Sequence, residues 1–368
     1  MYKVPFVNYS LQYKKLKTEI DRAIKDVLAR GDLILRSDVE EFEKTLADFV
    51  GVKYAAGLNS GTDALFLSLK AAGIGEGDEV ITVSHTFVAS IAAIVQCGAK
   101  PVLVDVDEDF VMKMDEVERV ITERTRAIIP VHLNGHMCDM EKLMAIAKKH
   151  NLIVIEDAAQ AIGAKFNNGV AGSFGLTGCF SFYPAKILGC FGDGGAITTN
   201  DEEIVQAVRL LRDHGQKTKT ELICFGWNSR LDNLQAAILN IKFKYLSKWI
   251  KRRREIAKIY HKGLVEIPEV KLPPAPDADS RFFDVYQNYV LRAQRRDELF
   301  DSLKEKGVET LIKDPVPNHW QKGLGLSHFH LLNSEKFAKE VISLPMYPEL
   351  TNEQVEYVID CVKGFYIH

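Results

Sequence analysis

Short β-rich runs alternate with helical stretches from Tyr54 onward, and this alternation restricts the fold more than any other feature of the 368-residue sequence. Strands that alternate with helices are typical of a largely parallel sheet covered by helices. We therefore predict an α/β domain. Its expected strands are Tyr54–Leu58, Glu79–Val83, Lys100–Val104, Ala127–Val131, Leu152–Glu156, Gly178–Phe182 and Gly195–Thr199.

The chain is longer than the size at which one hydrophobic core keeps growing, so we expect two domains. A long helical stretch at about Leu231–Leu264 is the expected bridge between them. We predict an N-terminal arm and a large domain over residues 1–245, followed by a small α+β domain over residues 246–368. The expected elements of the small domain are strand Tyr286–Arg292, helix Arg295–Lys306, strands Val308–Ile312 and Val341–Leu344, and a final helix with a capping box at Thr351.

Charge and cysteine usage exclude several classes of function. The net charge of −3 comes from nearly balanced acids and bases, which gives no reason to expect nucleic-acid or membrane-surface binding. Six scattered cysteines show no metal-ligand spacing and no disulfide framework. The N-terminus lacks a signal-type apolar core, and no apolar run approaches membrane-spanning length. We expect a cytoplasmic protein without a metal site.

Ligands of open α/β sheets collect at the carboxyl ends of the strands, so the residues that follow each strand are the candidates for function. Asn59–Asp63 follows the first strand and enters a helix, whose N-terminus suits a phosphate. The alternative is a plain N-cap. Phe225–Asp232 places polar and charged side chains just before the long helix. The alternative for this segment is also a plain N-cap, with Arg230 and Asp232 paired locally.

Asp157 and Lys186 follow two further buried strands. A carboxylate at the end of a strand can keep a pyridine nitrogen protonated, but Asp157 is equally compatible with a helix cap. A lysine in this position can be desolvated, which lowers its pKa and allows it to form an imine with an aldehyde. Its alternative is a solvated surface charge, as for most lysines.

Taken in order, these segments resemble the DegT/DnrJ/StrS family of sugar aminotransferases, a branch of the fold-type I enzymes that use pyridoxal 5′-phosphate (PLP). The resemblance extends from about Pro5 to Tyr366. Its most specific parts are Asn59–Leu65, Glu156–Gly163, Phe180–Thr199 and Asn228–Leu239.

The resemblance implies a role for each matching residue. Lys186 is implied to bear the cofactor as a Schiff base, Asp157 to contact the ring nitrogen and Gln160 to lie beside the ring hydroxyl. Phe87 is implied to stack on the cofactor ring. Lys186 and Asp157 are thus the expected catalytic residues.

The resemblance also places the phosphate of the cofactor. An asparagine at the Asn228 position is implied to reach it from the partner subunit, so a homodimer with shared active sites is expected. The other implied phosphate contacts are Gly61, Thr62, Asp63 and Ser181.

The expected reaction is transfer of an amino group, with L-glutamate as the donor, to a ketone of a nucleotide-linked deoxysugar. Leu211–Gln216 and Asn228–Asp232 resemble members that act on 3-keto sugars, and a 4-keto sugar is the alternative. Tyr183 and His319 are candidates for sugar contact, with packing as the alternative for both. A sugar 3-dehydratase and a non-catalytic regulatory protein are the other two classes considered. Lys186 counts against the first, because the dehydratase relatives carry histidine at that position.

Overall fold

A computed structural model describes residues 2–366 as an ordered series of helices and short strands. The helices are α1 (Tyr9–Arg30), α2 (Ser37–Val50), α3 (Gly61–Ala71), α4 (Ala89–Gln96), α5 (Met114–Val117), α6 (Met140–His150), α7 (Glu202–Leu211), α8 (Asn233–Phe243), α9 (Leu246–Leu264), α10 (Arg296–Glu305), α11 (Leu332–Glu340) and α12 (Asn352–Tyr366). The strands are β1 (Tyr54–Leu58), β2 (Glu79–Val83), β3 (Lys100–Val104), β4 (Thr125–Ile128), β5 (Ile153–Asp157), β6 (Lys165–Phe166), β7 (Gly169–Val170), β8 (Thr177–Ser181), β9 (Gly195–Thr199), β10 (Gln216–Thr218), β11 (Glu221–Leu222), β12 (Val270–Lys271), β13 (Phe282–Phe283), β14 (Tyr289–Ala293) and β15 (Val341–Leu344).

A seven-stranded sheet in the order β1-β9-β8-β5-β4-β2-β3 forms the centre of the large unit. Its strands run parallel except β9, which is antiparallel to both β1 and β8. The predicted α/β fold is confirmed. β4 ends earlier than predicted, at Ile128, since Pro130 has no N–H to donate to the ladder. Pairing resumes only as an isolated bridge between Val131 and Asp157.

The prediction of one long helix is wrong, because the helix is interrupted between α8 and α9. The two helices bury their apolar faces in different directions. α8 contributes Ala236, Ile238 and Leu239 to the core of the large unit, whereas α9 crosses from that core at Trp249 to a second core at Tyr260. A turn at residues 244–245 separates the two helices.

The second core lies in the C-terminal unit around the antiparallel sheet β12-β14-β15. Val4 of the N-terminal arm is buried in it and pairs with Val308. The arm therefore packs on the C-terminal unit, although the predicted division groups it with residues 1–245. That division stays a prediction.

Two predicted C-terminal strands differ from the structure. Val308–Ile312 forms only isolated bridges, at Val308 and Leu311. β14 begins at Tyr289 instead of Tyr286, because Tyr286 takes a left-handed backbone conformation (φ 50°) that interrupts the strand. The final helix has the predicted capping box, since the Thr351 hydroxyl and the Gln354 side chain each accept the other residue's backbone N–H.

Glu156 ties the loop before β8 to the end of β5. Its carboxylate is fully buried; Oε1 accepts the N–H groups of Phe174 and Gly175, and Oε2 accepts the N–H of Gly172 and contacts the His132 ring at 3.1 Å. Successive strand residues face opposite sides of a sheet. Glu156 therefore serves the fold, while Asp157 faces the other side.

We predict that Glu156→Gln lowers the free energy of unfolding by roughly 2–4 kcal/mol. Whichever position the new amide nitrogen takes, it meets at least one backbone N–H that needs an acceptor. Urea denaturation followed by circular dichroism measures the change. The exposed Glu266→Gln is the matched control, with an expected change within about 0.5 kcal/mol. Equal stability of both variants would contradict the assigned hydrogen bonds.

Candidate active site

The carboxyl ends of β5 and β8 are adjacent, since Asp157 pairs with Cys179 in parallel register. β8 ends at Ser181, and Lys186 follows in a tight turn in which its N–H donates to the Tyr183 carbonyl at 2.8 Å. The sequence candidates from two strands thus meet at one edge of the sheet.

Asp157 is a buried carboxylate with few partners. Its oxygens accept hydrogen bonds from the Ser90 hydroxyl at 2.7 Å and the Ala159 N–H at 3.2 Å. Burial raises its pKa, although both hydrogen bonds oppose the change. No helix follows in residues 158–164, so the helix-cap alternative does not apply. A cation at this position would stabilise the ionised carboxylate.

Lys186 is half-buried, and desolvation lowers the pKa of its amine to about 8, against the opposing influence of Asp157. Near neutral pH this amine is therefore unprotonated far more often than that of an ordinary lysine, and the unprotonated form is the one that nucleophilic attack requires. This environment is not that of an ordinary solvated lysine.

Gln287 holds the backbone on both sides of Lys186. Its side-chain oxygen accepts the Ile187 N–H at 2.9 Å, and its side-chain nitrogen donates to the Ala185 carbonyl at 2.8 Å. The buried Arg253 in turn donates to the backbone carbonyls of residues 286 and 287. Sequence reasoning missed Gln287, because it lies a hundred residues from the lysine and in no recognisable motif.

Gln160 belongs to a second amide network. Its side-chain oxygen accepts the Asn134 N–H at 2.9 Å and the Asn288 side-chain N–H at 3.2 Å. Its side-chain nitrogen remains available as a donor. Asn288 also accepts a hydrogen bond from the Lys313 amine at 2.7 Å. Asn288 and Lys313 were not predicted either.

The turn before α3 has the features of a phosphate cradle. A Cβ on Gly61 would lie 2.7 Å from the Cβ of Ser181, so only glycine allows this close approach of the two candidate segments. Ser60 caps the Asp63 N–H at 3.1 Å, and the Asp63 carboxylate accepts the Ser229 hydroxyl at 2.5 Å. The N–H of Asp63 is thus occupied. The N–H groups of Gly61 and Thr62 are the donors left at this helix N-terminus.

Two aromatic candidates are open to solvent at this edge. Phe87 is 63% exposed, and its carbonyl accepts a weak hydrogen bond from Ser90, the same serine that contacts Asp157. Tyr183 is 54% exposed. Both positions are compatible with the predicted stacking and sugar contacts, which stay predictions.

Asn228 is exposed, and its neighbour Ser229 contacts Asp63 of the same chain. Arg230 pairs with Asp213 at 2.9 Å and not with Asp232, so the expected local pair is wrong. The two partners come together because residues 213 and 228 form a backbone bridge.

His319 is fully buried, in contrast to the aromatic candidates. Its Nδ1 lies 2.7 Å from the Ser84 hydroxyl and its Nε2 lies 3.3 Å from a Glu335 carboxylate oxygen. Both ring nitrogens are occupied and no surface is open to a ligand. The geometry favours the packing alternative over sugar contact.

The residues present fit PLP. Gly61 and Ser181 form a cradle with free N–H donors for a phosphate, Asp157 offers a buried carboxylate to a pyridinium, and Lys186 offers a desolvated amine to an aldehyde. No cluster of three or more His, Cys, Asp or Glu side chains suited to a metal occurs within residues 2–366. Fold and site together define a PLP-dependent enzyme of the α/β aminotransferase type.

The chain belongs to the DegT/DnrJ/EryC1/StrS aminotransferase family, whose model matches residues 14–363. It is 45% identical to a pleiotropic regulatory protein of Geobacillus stearothermophilus, with 99% of each chain covered. It is 43% identical to dTDP-3-amino-3,4,6-trideoxy-alpha-D-glucose transaminase of Streptomyces venezuelae, over 98% of this chain and 96% of the relative.

The solved structure of S. venezuelae DesV in complex with a ketimine intermediate is similar over 100% of both chains, with a TM-score of 0.96 and 41% identity. These similarities confirm the family and the class of enzyme inferred from the sequence. The protein is a PLP-dependent sugar-nucleotide aminotransferase.

We predict that Gln287→Ala lowers turnover by roughly 10- to 100-fold, because a misplacement of Lys186 by about 1 Å costs about that much. The Michaelis constants of both substrates should change little. Gln294→Ala, beyond the opposite end of β14, is the control, since Gln294 is exposed and its hydrogen bonds to Glu269 and Tyr366 are made by its backbone alone. Steady-state kinetics and a pH titration of the cofactor absorbance are the measurements. Unchanged turnover in Gln287→Ala would show that Lys186 keeps its position without this contact.

Proposed function

We propose that the protein transfers the amino group of L-glutamate to the 3-keto group of a nucleotide-linked deoxysugar, for cell-surface glycan or natural-product sugar biosynthesis. The observation that carries the proposal is the desolvated Lys186 amine near the buried Asp157. The 3-amino sugar in the name of the Streptomyces relative supports the position of the ketone. Amination at a 4-keto group is the alternative.

Bound PLP supplies an aldehyde and an electron-withdrawing ring that stabilises negative charge on the neighbouring carbon. The chain supplies the rest. The neutral Lys186 amine would hold the cofactor through its aldehyde, and the same amine, once free, would accept and return a proton. Asp157 keeps the ring nitrogen protonated, and its burial strengthens that interaction. At pH values well below 8, protonation of the free Lys186 amine should slow its attack.

Lys186 disfavours a sugar 3-dehydratase. The combination of Lys186, Asp157 and the glycine cradle disfavours a purely regulatory role. The name of the Geobacillus relative does not change this inference, since it describes that protein.

We further propose that the protein works in the cytoplasm. All six cysteines are unpaired in the described part of the chain, which supports a reducing compartment. No helix within residues 2–366 is long and apolar enough to span a membrane.

We also propose a homodimer in which Asn228 completes the site of the partner subunit. The segment that carries Asn228 is unusually apolar for a surface. Phe225 is 98% exposed, and Leu222, Ile223 and Trp227 are exposed beside it. Contiguous apolar patches of this kind are typical of protein interfaces.

The purified protein with PLP should be yellow, lose that colour on addition of L-glutamate, and aminate a nucleotide-linked 3-keto sugar. Lys186→Ala should abolish turnover while the circular dichroism spectrum stays native, because the variant lacks the amine assigned to hold the cofactor aldehyde and to transfer the proton. Product mass and NMR over a panel of 3-keto and 4-keto sugar nucleotides identify the aminated carbon. Borohydride reduction followed by peptide mapping identifies the labelled lysine. A label on any lysine other than Lys186 would overturn the assignment.

Mixing two inactive variants tests the shared site. Asn228→Asp should be inactive, because a carboxylate repels the cofactor phosphate. A mixed dimer with Lys186→Ala contains one site with both native residues, so mixing should restore activity, up to about a quarter of the wild-type value if subunits assort randomly. Differently tagged subunits establish that exchange occurs. Exchanged dimers without activity would assign Asn228 to its own subunit's site, as its contact through Ser229 with Asp63 would then suggest.

A further inference from the structure

Lys313 is a half-buried cation without a carboxylate partner in residues 2–366. Its amine donates one hydrogen bond, to the side-chain oxygen of Asn288 at 2.7 Å. An ammonium group has three N–H donors, so two remain available for a ligand. No sequence motif marks this residue, which follows the isolated bridge at Leu311.

Asn288 fixes the position of Lys313 relative to the site. Its side-chain nitrogen donates to Asn134 at 3.0 Å and to Gln160 at 3.2 Å, so its oxygen must face the lysine. The chain of contacts runs from Lys313 through Asn288 to Gln160, which lies three residues beyond Asp157. Lys313 therefore belongs to the same edge of the sheet as Lys186.

The charges around Lys313 favour an anionic ligand. Burial, Lys186 and Arg253 lower the pKa of Lys313 to about 8, and the adjacent Asp314 only partly opposes them. Two amines that repel one another in a desolvated site lose that repulsion when a carboxylate lies between them. Other cations nearby are already occupied. Arg253 donates to the carbonyls of Tyr286, Gln287 and Met346, and Arg230 pairs with Asp213.

We propose that Lys313, held by Asn288, binds the α-carboxylate of the amino donor. The proposal rests on the proposed amino transfer. The donor amine must take the place of the Lys186 amine, and the α-carboxylate is attached to the carbon that bears this amine. A cation close to Lys186 therefore meets the α-carboxylate, whereas the side-chain carboxylate of glutamate lies two carbons farther away.

The kinetic test compares L-glutamate with γ-aminobutyrate, which lacks the α-carboxylate. Lys313→Met should lower kcat/KM for L-glutamate roughly 10- to 100-fold in the donor half-reaction, the usual effect of losing a charge-assisted hydrogen bond. Its effect on γ-aminobutyrate should be at most about 2-fold, within the range of a neutral change. Lys313→Arg should recover part of the loss. The exposed Lys322→Met is the matched control and should behave as wild type.

A binding measurement gives a readout that needs no turnover. Glutarate carries carboxylates but no amine, and its dissociation constant for the PLP-loaded protein can be measured by calorimetry. It should rise roughly 10-fold or more in Lys313→Met. A bound carboxylate raises the pKa of Lys313, so glutarate binding at pH 8 should take up protons in wild type and not in Lys313→Met. Calorimetry in buffers of different ionisation enthalpy measures this uptake.

Equal losses for L-glutamate and γ-aminobutyrate would overturn the proposal, and so would a loss confined to the sugar half-reaction. Unchanged glutarate affinity and proton uptake in Lys313→Met would also overturn it. If wild type binds glutarate with proton uptake but converts no amino acid, the proposed function fails while the carboxylate site stands. If Lys313→Met does not fold, Lys313→Gln replaces it, since an amide keeps a donor to Asn288 but carries no charge.

Discussion

The site depends on the burial of two groups that both prefer water when charged. Asp157 and Lys186 lie at the ends of neighbouring parallel strands, and desolvation raises the pKa of the carboxyl and lowers that of the amine. Each charge is costly there unless a partner offsets it. Under the proposed assignment, a pyridinium would offset the charge of Asp157, and conversion to an imine would remove the free amine of Lys186. The same burial that destabilises the free groups therefore favours the cofactor.

The C-terminal unit contributes directly to this arrangement. A left-handed residue at Tyr286 delays the start of β14, and Arg253 fixes the preceding backbone through its carbonyls. Gln287 and Asn288 consequently project toward the large unit instead of pairing within a strand. Gln287 holds the lysine turn, and Asn288 holds Gln160. The contacts between the two units are thus part of the site.

Sequence reasoning located residues whose position follows from a local pattern. Asp157 is the last residue of β5 and Lys186 lies in the turn that follows β8, so the strand prediction alone placed both near the sheet edge. Sequence reasoning missed the residues whose contacts depend on distant segments of the chain. Gln287, Asn288 and Lys313 have no motif, and their partners lie about 25 to 150 residues away. The prediction for His319 differs from these cases. The residue type suggested a sugar contact, but the side chain is buried between Ser84 and Glu335.

The separation of local and distant residues has a consequence for specificity. The groups proposed to perform the chemistry are positioned by strand ends, whose register a single change cannot easily alter. Asn288 and Lys313, by contrast, lie in connecting segments that tolerate substitution. If Lys313 selects donors by their α-carboxylate, donor preference can change through this segment while Lys186 and Asp157 keep their geometry. Recognition of the sugar then depends on other surfaces, and the exposed Phe87 and Tyr183 lie at the same edge of the sheet.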